Sequence, residues 1–540
     1  MLQCRVGMRW ARAAVGLGTA AVVGCSLPSM FTGRPAGDSG TGLDSGGSDA
    51  MPPGTDAAPD SGPGTDAVPG ADSGVDSGTG TDALPAGTDA APACTVGALQ
   101  CATDDLQQCM GPSGAEAWVT LQTCALGCSL TAGAHCLALV PSNGIPTAYL
   151  SEGTLAWDTG ADVLDDYEWD ASTGSIRGRV GAGSFMVVRG TGPGLVAGIG
   201  FHTVVQGGGS PDIAVWTFAS VNLAAGETHR FVASTYTGGT LPSPAVAIVS
   251  GGAATINADL VLNATVSSGG GGTNAWFPAT GGWQGGIWAV DVGNLAGHGA
   301  GPGGGVGFGV NCDAGGSGAG YGAAGGTGGS SPDGLCAGAG ATPAGASNGT
   351  PAVVPLQGGS GGGAGGADMV IYSGRGGGGG GAIQIVSGAG ISVGGTIWAA
   401  GGGGEASPDD DGSGGGGAGG AVLLEGATVT VTALAVIACN GGGGASGALG
   451  AGGAGNPGSN GLLSAMAAAG GPSLDGNATS GAGGAGGAGA SVGGGAGTGS
   501  TNGGGGGGAA GRIRFNTRTG AATSSGTVSP FATAGVVTTL

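Results

Sequence analysis

The sequence predicts an all-β protein: a parallel β-helix, or solenoid, with long glycine-rich insertions, preceded by a small disulfide-rich module and a disordered N-terminal linker. Three observations predict this fold. Short runs of aliphatic and β-branched residues recur in groups of three, and alternate residues of each run are apolar, as in strands with one buried face. Glycine supplies 139 of the 540 residues without the Gly-X-Y period of collagen. Six cysteines lie within residues 94–140.

The charge balance restricts the partners and activities that can be expected. The chain has 12 basic residues, all of them arginine, against 33 acidic residues, and its net charge is -21. Nucleic acids and anionic membrane surfaces both attract clustered cations, so this balance excludes nucleic acid as a partner. Charged residues make up only 8% of the chain, whereas about 25% is usual, and this disfavours a conventional enzyme.

Residues 1–24 are predicted to be a lipoprotein signal peptide. Three arginines give a positively charged start, and the apolar stretch that follows, residues 13–24, is too short to span a bilayer. The segment Val-Val-Gly-Cys that ends at Cys25 resembles the bacterial lipobox, and this resemblance implies export and attachment of a diacylglycerol to Cys25. An ordinary signal peptide with an incidental cysteine, or a short N-terminal anchor, is the alternative.

The resemblance to bacterial lipoproteins also implies a location. Ser26 follows the modified cysteine, which is similar to lipoproteins that are sorted to the outer membrane. The protein is therefore expected to be exported as an outer-membrane lipoprotein that faces the periplasm or is exposed at the cell surface. The membrane is then a partner through the lipid on Cys25, where several acyl chains would anchor the protein more stably than one.

Residues 25–93 are predicted to be the lipidated cysteine followed by a disordered acidic linker. The tetrapeptide Gly-Thr-Asp-Ala and the tripeptide Asp-Ser-Gly recur along it. Such a segment has almost no apolar surface to bury, so burial cannot offset the entropy cost of ordering it. Its aspartates repel one another and extend it, which is typical of a tether.

Residues 94–140 are predicted to be a six-cysteine disulfide module. In an exported chain an even number of cysteines favours disulfides, here three bonds with 15 possible connectivities. Zinc is the alternative, but no two cysteines have the C-x2-C spacing, and His135 adjoins Cys136 too closely for both to bind one ion. The six residues are Cys94, Cys101, Cys109, Cys124, Cys128 and Cys136.

Residues 141–240 are predicted to hold an N-terminal cap and the first β-rungs, and residues 241–540 a glycine-rich region similar to a β-helix. Three blocks of short strands, which begin near Val246, Ala382 and Ala421, can be superimposed. Three short strands per turn are what a β-helix rung needs, and stacked rungs bury its apolar face. Arg512 begins a last, more polar rung.

The glycine tracts between the blocks are predicted to be insertions at one corner of the solenoid, since the cost of closing a loop grows slowly with its length. They either lie against one another as extended polyproline II segments or are disordered spacers. The ordered layer is favoured because glycine permits close approach of backbones. The predicted insertions are 269–286, 299–366, 401–420 and 441–511.

The order of these parts resembles that of glycine-rich surface lipoproteins of myxobacteria, in which a small cysteine-rich module follows the linker. This resemblance implies an architecture rather than an activity. It favours a structural or adhesive role at the cell envelope, with an envelope polysaccharide or a surface protein as partner. Residues 481–497 are also similar in composition to the PGRS tracts of mycobacterial surface proteins, although the PE domain that precedes those tracts is absent.

The sequence contains no motif that predicts catalysis, and the protein is not expected to be an enzyme. Gly-x-Ser-x-Gly occurs around Ser360 and Ser491, but a nucleophile elbow needs a strand before the serine and a helix after it, and both matches lie in glycine tracts. A β-helix polysaccharide lyase or hydrolase is the main alternative. It is disfavoured because the arginines are interpreted as scattered and without acidic partners: Arg177, Arg179, Arg189, Arg230 and Arg375.

A carbohydrate- or ice-binding surface module is the second alternative. Such a surface needs a regular ladder of threonines on successive rungs. Thr428, Thr430 and Thr432 alternate along one predicted strand, but the sequence shows no repetition of this pattern in the other rungs.

Two acidic clusters are candidate Ca²⁺ sites, because Ca²⁺ prefers carboxylate and carbonyl oxygens. Neither has the spacing of an EF-hand or of a glycine-rich nonapeptide repeat, so solvated acidic loops are favoured. No cofactor other than this structural Ca²⁺ is expected. The candidates are Asp162, Asp165 and Asp166 in one cluster and Asp409, Asp410 and Asp411 in the other.

Three cysteines lie in the glycine-rich region. Cys312 and Cys336 are predicted to form a disulfide that closes an insertion loop. Cys439 is flanked by apolar residues and is expected to be a buried, unreactive thiol.

Overall fold

The computed structural model describes residues 94–236, 240–264, 277–287, 297–308, 312–332, 341–367, 373–450 and 453–540. All of them belong to one compact unit, Thr88–Leu540. The predicted signal peptide, the lipidation site Cys25 and the linker lie outside the described residues. Strands dominate the secondary structure of the described residues, which also contain two 3-10 helices, Thr147–Ser151 and Thr159–Ala161. The predicted all-β class is confirmed.

The cysteine module contains β1 (Leu99–Ala102), β2 (Asp105–Met110), β3 (Ala117–Thr123), β4 (Cys128–Ser129), β5 (His135–Cys136) and β6 (Leu139–Val140). The next hundred residues contain β7 (Ala156–Asp158), β8 (Asp166–Asp170), β9 (Ile176–Arg179), β10 (Met186–Arg189), β11 (Gly194–Val196), β12 (Ile199–Val204), β13 (Ile213–Phe218), β14 (Ser220–Leu223) and β15 (Thr228–Val232). The remainder contains β16 (Ala245–Ser250), β17 (Ala254–Ile256), β18 (Asp259–Val261), β19 (Ala382–Ser387), β20 (Gly390–Val393), β21 (Thr396–Trp398), β22 (Ala421–Glu425), β23 (Thr428–Val431), β24 (Val436–Ala438), β25 (Arg512–Thr517), β26 (Thr523–Ser524), β27 (Thr527–Ser529), β28 (Thr533–Val536) and β29 (Thr538–Thr539).

Three sheets hold most of these strands. Sheet A has the order β11-β12-β13-β16-β19-β22-β25-β28, sheet B the order β7-β14-β17-β20-β23-β26, and sheet C the order β10-β9-β8-β15-β18-β21-β24-β27. From β13 to β27 the chain passes five times through one strand of A, one of B and one of C. From the second passage on, each strand pairs in parallel with its equivalent in the passage before.

The register stacks the predicted blocks on one another. Val246 pairs with Ile383, Ile383 with Val422, and Val422 with Ile513. The inward-facing residues of the three sheets form one hydrophobic core. At its N-terminal end the core is aromatic, and the ring of Trp169 lies 5.3 Å from that of Trp157 between centroids. Aromatic side chains bury large areas, which suits the end of a stack that must be closed.

The long glycine tracts are all inserted at the same point in the repeating order of sheets A, B and C. They follow a strand of sheet C and precede the next strand of sheet A, at residues 262–381, 399–420 and 439–511. The two tracts predicted at 269–286 and 299–366 belong to the first of these insertions. Sheet A therefore receives every strand that follows a long insertion.

The cysteine module is held by three disulfides, Cys94–Cys109, Cys101–Cys128 and Cys124–Cys136. All six cysteines are used, which leaves no thiolate for the zinc alternative. The module also contacts the C-terminal residues: β6 pairs with β29, and Asp104 accepts a hydrogen bond of 2.8 Å from Arg518. Leu126 and Leu139 pack in the hydrophobic layer on the outer face of sheet A.

Candidate binding surface and the glycine array

The described parts of the three insertions form a hydrogen-bonded body, here called the glycine array (277–287, 297–308, 312–332, 341–367, 373–381, 399–420, 439–450 and 453–511). Segment 361–366 shows how it is built, because its N–H groups donate in rotation to three neighbouring segments. The same neighbour recurs every third residue, which is the period of a polyproline II helix. The donor–acceptor pairs are Gly361–Ala300, Gly362–Gly377, Gly363–Ser317, Ala364–Gly297, Gly365–Gly374 and Gly366–Ala314, at 2.8–2.9 Å.

Three further segments donate to carbonyl oxygens of residues 359–366. They are residues 283–286, 305–308 and 412–418, with N···O distances of 2.8–3.3 Å. A polyproline II segment forms no internal hydrogen bonds, so each buried N–H and C=O must find its partner on another segment. Six neighbours around one segment satisfy that requirement. In the described residues the tracts are thus an ordered layer.

Glycine is required in the array because no space remains for a side chain. A Cβ atom on Gly361 would lie 2.0 Å from the carbonyl oxygen of Gln284, and one on Gly366 would lie 1.9 Å from that of Cys312. Real Cβ contacts are much longer, and a backbone oxygen cannot rotate away as a side chain can. Small side chains are also buried in the array, as at Ala364 and Ser360.

The array and the cysteine module cover the outer face of sheet A. All six residues of β13, β16 and β19 are buried, as expected for parallel strands that are covered on both faces. Tyr321 and Leu356 of the first insertion pack in the same hydrophobic layer as Val249.

The covered face also contains a buried carboxylate. Glu425 is 2% exposed and accepts hydrogen bonds from Ser142 Oγ at 2.7 Å, Gln384 Nε2 at 2.6 Å and Asn516 Nδ2 at 2.9 Å. The backbone N–H of Ser142 donates to it as well, at 3.0 Å. This network ties the segment after the cysteine module to three strands of sheet A.

Polar side chains collect on loops at one end of the array, here called the polar loop face (407–411, 446–450, 473–480 and 498–502). Asn502 Nδ2 donates to Asp410 Oδ1 at 2.7 Å and to the carbonyl of Ala448 at 3.0 Å. Ser500 Oγ donates to the carbonyl of Thr479 at 2.7 Å, and Ser480 Oγ to that of Gly447 at 2.6 Å. The loops therefore form one connected surface.

Asp475 organises the largest of these loops. Its carboxylate accepts hydrogen bonds from the hydroxyl of Thr479 and from the backbone N–H groups of Thr479 and Ser480. These bonds favour the ionised form and lower the pKa of Asp475 to about 2.

The aspartates predicted as Ca²⁺ ligands all lie in the described residues, but neither cluster directs its carboxylates at a common metal position. Asp162 accepts from the hydroxyl of Tyr167 and the N–H of Leu164, and both oxygens of Asp165 accept from the N–H of Gly181. Asp409, Asp410 and Asp411 lie in the polar loop face, where Asp411 is buried. Within the part of the chain that the structure describes, no group of three histidine, cysteine or acidic residues is arranged to hold a metal ion.

The interpretation of the arginines as scattered and without acidic partners is wrong for four of the five. Arg177 pairs with Glu168, and Arg179 and Arg230 both pair with Asp166. The ring of Phe185 lies close to two of the guanidinium groups. Its centroid is 4.7 Å from Cζ of Arg177 and 4.6 Å from Cζ of Arg179.

Sequence spacing contained the signal for these ion pairs. Two acids and two arginines each alternate at intervals of two, and β8 and β9 are antiparallel, so Asp166 faces Arg179 and Glu168 faces Arg177. The carboxylates are therefore engaged by cations. Arg375 lies 3.8 Å from Glu405, and the buried Arg189 donates to backbone carbonyl oxygens.

A histidine in the core is also fully engaged. Trp169 Nε1 donates to Nδ1 of His229 at 3.1 Å, which leaves Nε2 as the donor to Glu227, 3.2 Å away. Burial lowers the pKa of His229, while Glu227 opposes that shift. Thr159 donates to the same carboxylate. All of these groups are buried, so the arrangement cannot contact a substrate from solvent.

The remaining predicted residues have structural positions. Ser360 is buried in the array and accepts from the N–H of Gly303, so it is not an exposed nucleophile. Cys312 is disulfide-bonded, and Cys336 lies outside the described residues. Cys439 is a free, fully buried thiol, and burial raises its pKa.

Sheet B carries a ladder of small polar residues that sequence reasoning missed. Its inward-facing residues belong to the core, and the alternate positions face outward. A regular threonine ladder is absent from these strands, but stacking aligns polar side chains of different types from distant parts of the chain. In register they are Asn222, Thr255, Ser392, Thr430 and Thr523.

Comparisons with protein-family models, with curated proteins and with solved structures found no match. No helix in the described residues is long and apolar enough to cross a membrane. The functional argument therefore rests on the three surfaces that the geometry provides: the polar loop face, the outer face of sheet B and the surface near the last strands of sheet A.

Proposed function

We propose that the protein is a lipid-anchored cell-envelope surface protein with an adhesive or structural role. The observation that carries this proposal is the glycine array. Its interior is mostly glycine backbone with a few small buried side chains such as those of Ala364 and Ser360, and polar side chains concentrate on the polar loop face. A stiff body that presents loops suits binding better than catalysis.

The proposal includes a finer architecture, in which sheets A, B and C are the three faces of one parallel β-helix. Five passages in the same order, a shared core and parallel register support it. Double-cysteine variants test it, since stacked residues come within disulfide range. Thr255→Cys/Ser392→Cys and Asp259→Cys/Thr396→Cys should crosslink on oxidation, whereas the mixed control Thr255→Cys/Thr396→Cys should not. Crosslinking of the control alone would contradict the stacking.

Anchoring depends on Cys25, and replacement of that residue tests it. In cells expressing the full chain, Cys25→Ala should abolish labelling by a radioactive fatty acid and move the protein from the membrane to the soluble fraction. Cys4→Ala, which removes the other cysteine of the N-terminal region, is the matched control and should change neither readout. Unchanged labelling and membrane partition of Cys25→Ala would overturn the anchor.

Adhesion is tested on intact cells. Cells that express the full chain should attach to surfaces coated with envelope polysaccharide several times more often than cells that lack it. Asn477 and Thr498 form an exposed hydrogen bond of 2.8 Å on the polar loop face. Replacing both by alanine should lower attachment, whereas Thr120→Ala in the cysteine module should not. Equal attachment with and without the protein would contradict an adhesive role.

A second candidate function is a carbohydrate- or ice-binding surface on sheet B. The polar ladder favours it, because parallel strands place equivalent side chains about 4.8 Å apart and so present hydroxyl groups at regular intervals. Thr430→Tyr would interrupt the ladder, and Thr396→Tyr on the outer face of sheet C is the matched control. Loss of ice-recrystallisation inhibition or of polysaccharide binding in the first variant only would support this function. Equal effects of both variants would count against it.

A further inference from the structure

A pocket opens beside the start of β25, next to the connection between β27 and β28. It contains about 380 Å³ of free space including its mouth. None of its nine described lining residues is acidic, although the chain as a whole has a net charge of -21. The lining residues that matter below are Arg512, Phe531, Pro530, Pro351 and Thr533.

Arg512 is the cation of this pocket, and its bonding is incomplete. Its Nε atom is buried and has no hydrogen-bond partner among the described residues, and Nη2 has one long bond, 3.3 Å, to the carbonyl of Asn348. A guanidinium group has five N–H donors in a planar fork. The described residues supply no carboxylate for it, in contrast to the ion-paired Arg179 and Arg518.

Phe531 gives the pocket an apolar rim. Its side chain is 73% exposed, one of the most exposed large apolar residues of the described chain, and it follows Pro530 in the same wall. Ligand sites typically combine apolar surface with a few polar groups that fix orientation. Here the polar groups are the guanidinium of Arg512 and the hydroxyl of Thr533.

We infer that this pocket binds the carboxylate of an acidic sugar, a uronic acid residue of an envelope or extracellular polysaccharide. The fork of Arg512 suits a carboxylate, which can accept two of its N–H groups at once. Phe531 supplies a flat face for the C–H groups of the sugar ring. The hydroxyl of Thr533 donates to the carbonyl oxygen of Pro351 at 3.0 Å, and its oxygen can accept a hydrogen bond from a ring hydroxyl. The inference rests on the proposed binding role and names its ligand class.

The negative net charge of the protein does not prevent such binding. At physiological salt the Debye length is about 8 Å, so distant carboxylates of the chain are largely screened from a ligand in the pocket. Contacts inside the pocket then decide the affinity.

Calorimetric titration of the full-length, detergent-solubilised protein tests the inference. The probes are a galacturonate oligosaccharide and the same oligosaccharide with its carboxylates methyl-esterified. The wild type should bind the acidic form and bind the ester at least tenfold more weakly. Arg512→Gln should weaken binding of the acidic form at least tenfold, and Phe531→Ala several-fold. Arg230→Gln, which removes the same charge from an exposed position on sheet C, should have no effect.

Circular dichroism and thermal melting establish that each variant is folded. If a destabilised Arg512→Gln prevents that comparison, Arg512→Lys keeps the charge without the fork and should bind more weakly than the wild type. Equal affinity for acid and ester, or full affinity of folded Arg512→Gln, would overturn the pocket. Binding of an acidic peptide but of no uronate would overturn the sugar assignment. Loss of uronate binding with intact cell attachment would leave the adhesive function standing, so the two failures are distinguishable.

Discussion

The β-sheets and the glycine array both pair their buried backbone groups, but they fill their interiors in opposite ways. In the sheets, backbone groups pair between neighbouring strands, and side chains such as those of Ile248 and Ile385 fill the interior. In the array, backbone groups also pair with neighbouring segments, but few side chains fill the interior, and the backbones themselves are in contact. Close packing, which is usually a property of side chains, is here a property of main chains.

This difference changes what a mutation does. In the side-chain core, removal of atoms leaves a cavity, and the loss of stability follows the volume removed. In the array, addition of one atom forces two backbones apart and breaks hydrogen bonds on both. The two regions should therefore respond with opposite dependence on side-chain size.

The largest expected effect is that of a single methyl group in the array. In Gly361→Ala the new Cβ would meet the backbone of Gln284 at 2.0 Å, with no flexible side chain to yield. The variant should lose about 4 kcal/mol or more of unfolding free energy, measured by denaturant titration. Gly190→Ala is the control, because its Cβ would meet its nearest atom at an ordinary 3.9 Å. Similar stability of the two variants would show that the backbones of the array move apart at little cost in free energy.

The side-chain core should show the reverse sensitivity. Ile385 is fully buried on the inner face of sheet A, and Ile385→Ala should lose about 3 kcal/mol through lost burial and the cavity that remains. Val354→Ala, at a 42% exposed site, is the control and should change stability little. Equal melting of the Ile385 variant and the wild type would mean that the core collapses around the gap.

The strands of the three sheets could be predicted because their information lies in side chains. Alternation of apolar residues identifies strands, and equal patterns at Val246, Ile383 and Val422 align them, as their pairing confirms. The array offers no such pattern. A run of glycines does not specify which segment accepts the hydrogen bond of each N–H group. The acceptors of Gly361 and Gly363 could therefore not be derived from the glycine sequence.

The surfaces were harder to predict because they combine distant segments. Thr255 and Ser392 are neighbours on sheet B although a long insertion separates them in sequence, and alternation within a single strand cannot reveal that pairing. Arg512 and Phe531 meet in the pocket through the last turn of the circuit. The ion pairs of Asp166 could have been predicted from the sequence, since charges that alternate on two adjoining strands face one another in a hairpin.

The contact between sheet A and the segment that follows the cysteine module should be less sensitive than either region. Glu425→Leu would leave the donors of Ser142, Gln384 and Asn516 buried without their acceptor. The expected loss is about 2 kcal/mol, because each unsatisfied donor is costly but local rearrangement recovers part of the cost. Glu405→Leu, at a carboxylate paired with one arginine, should lose less. A larger loss at Glu405 would contradict the network as the main link between module and sheet A.

The smallest effect concerns the edge of the array, where side chains again carry the structure. The pKa of Asp475 is about 2 in the folded protein, below its ordinary value of 3.8, because Thr479 and Ser480 donate to the ionised form. Because the pKa is lower in the folded protein, the ionised carboxylate of Asp475 stabilises the fold at pH values above the unfolded-state pKa. This stabilisation should be complete above pH 4 and should be lost between pH 4 and pH 2, as the carboxylate binds a proton. Asp475→Asn should therefore melt earlier than the wild type at pH 6, with the difference shrinking toward pH 2. A constant difference in melting temperature across that range would show that the loop depends on the shape of the Asp475 side chain and not on its charge.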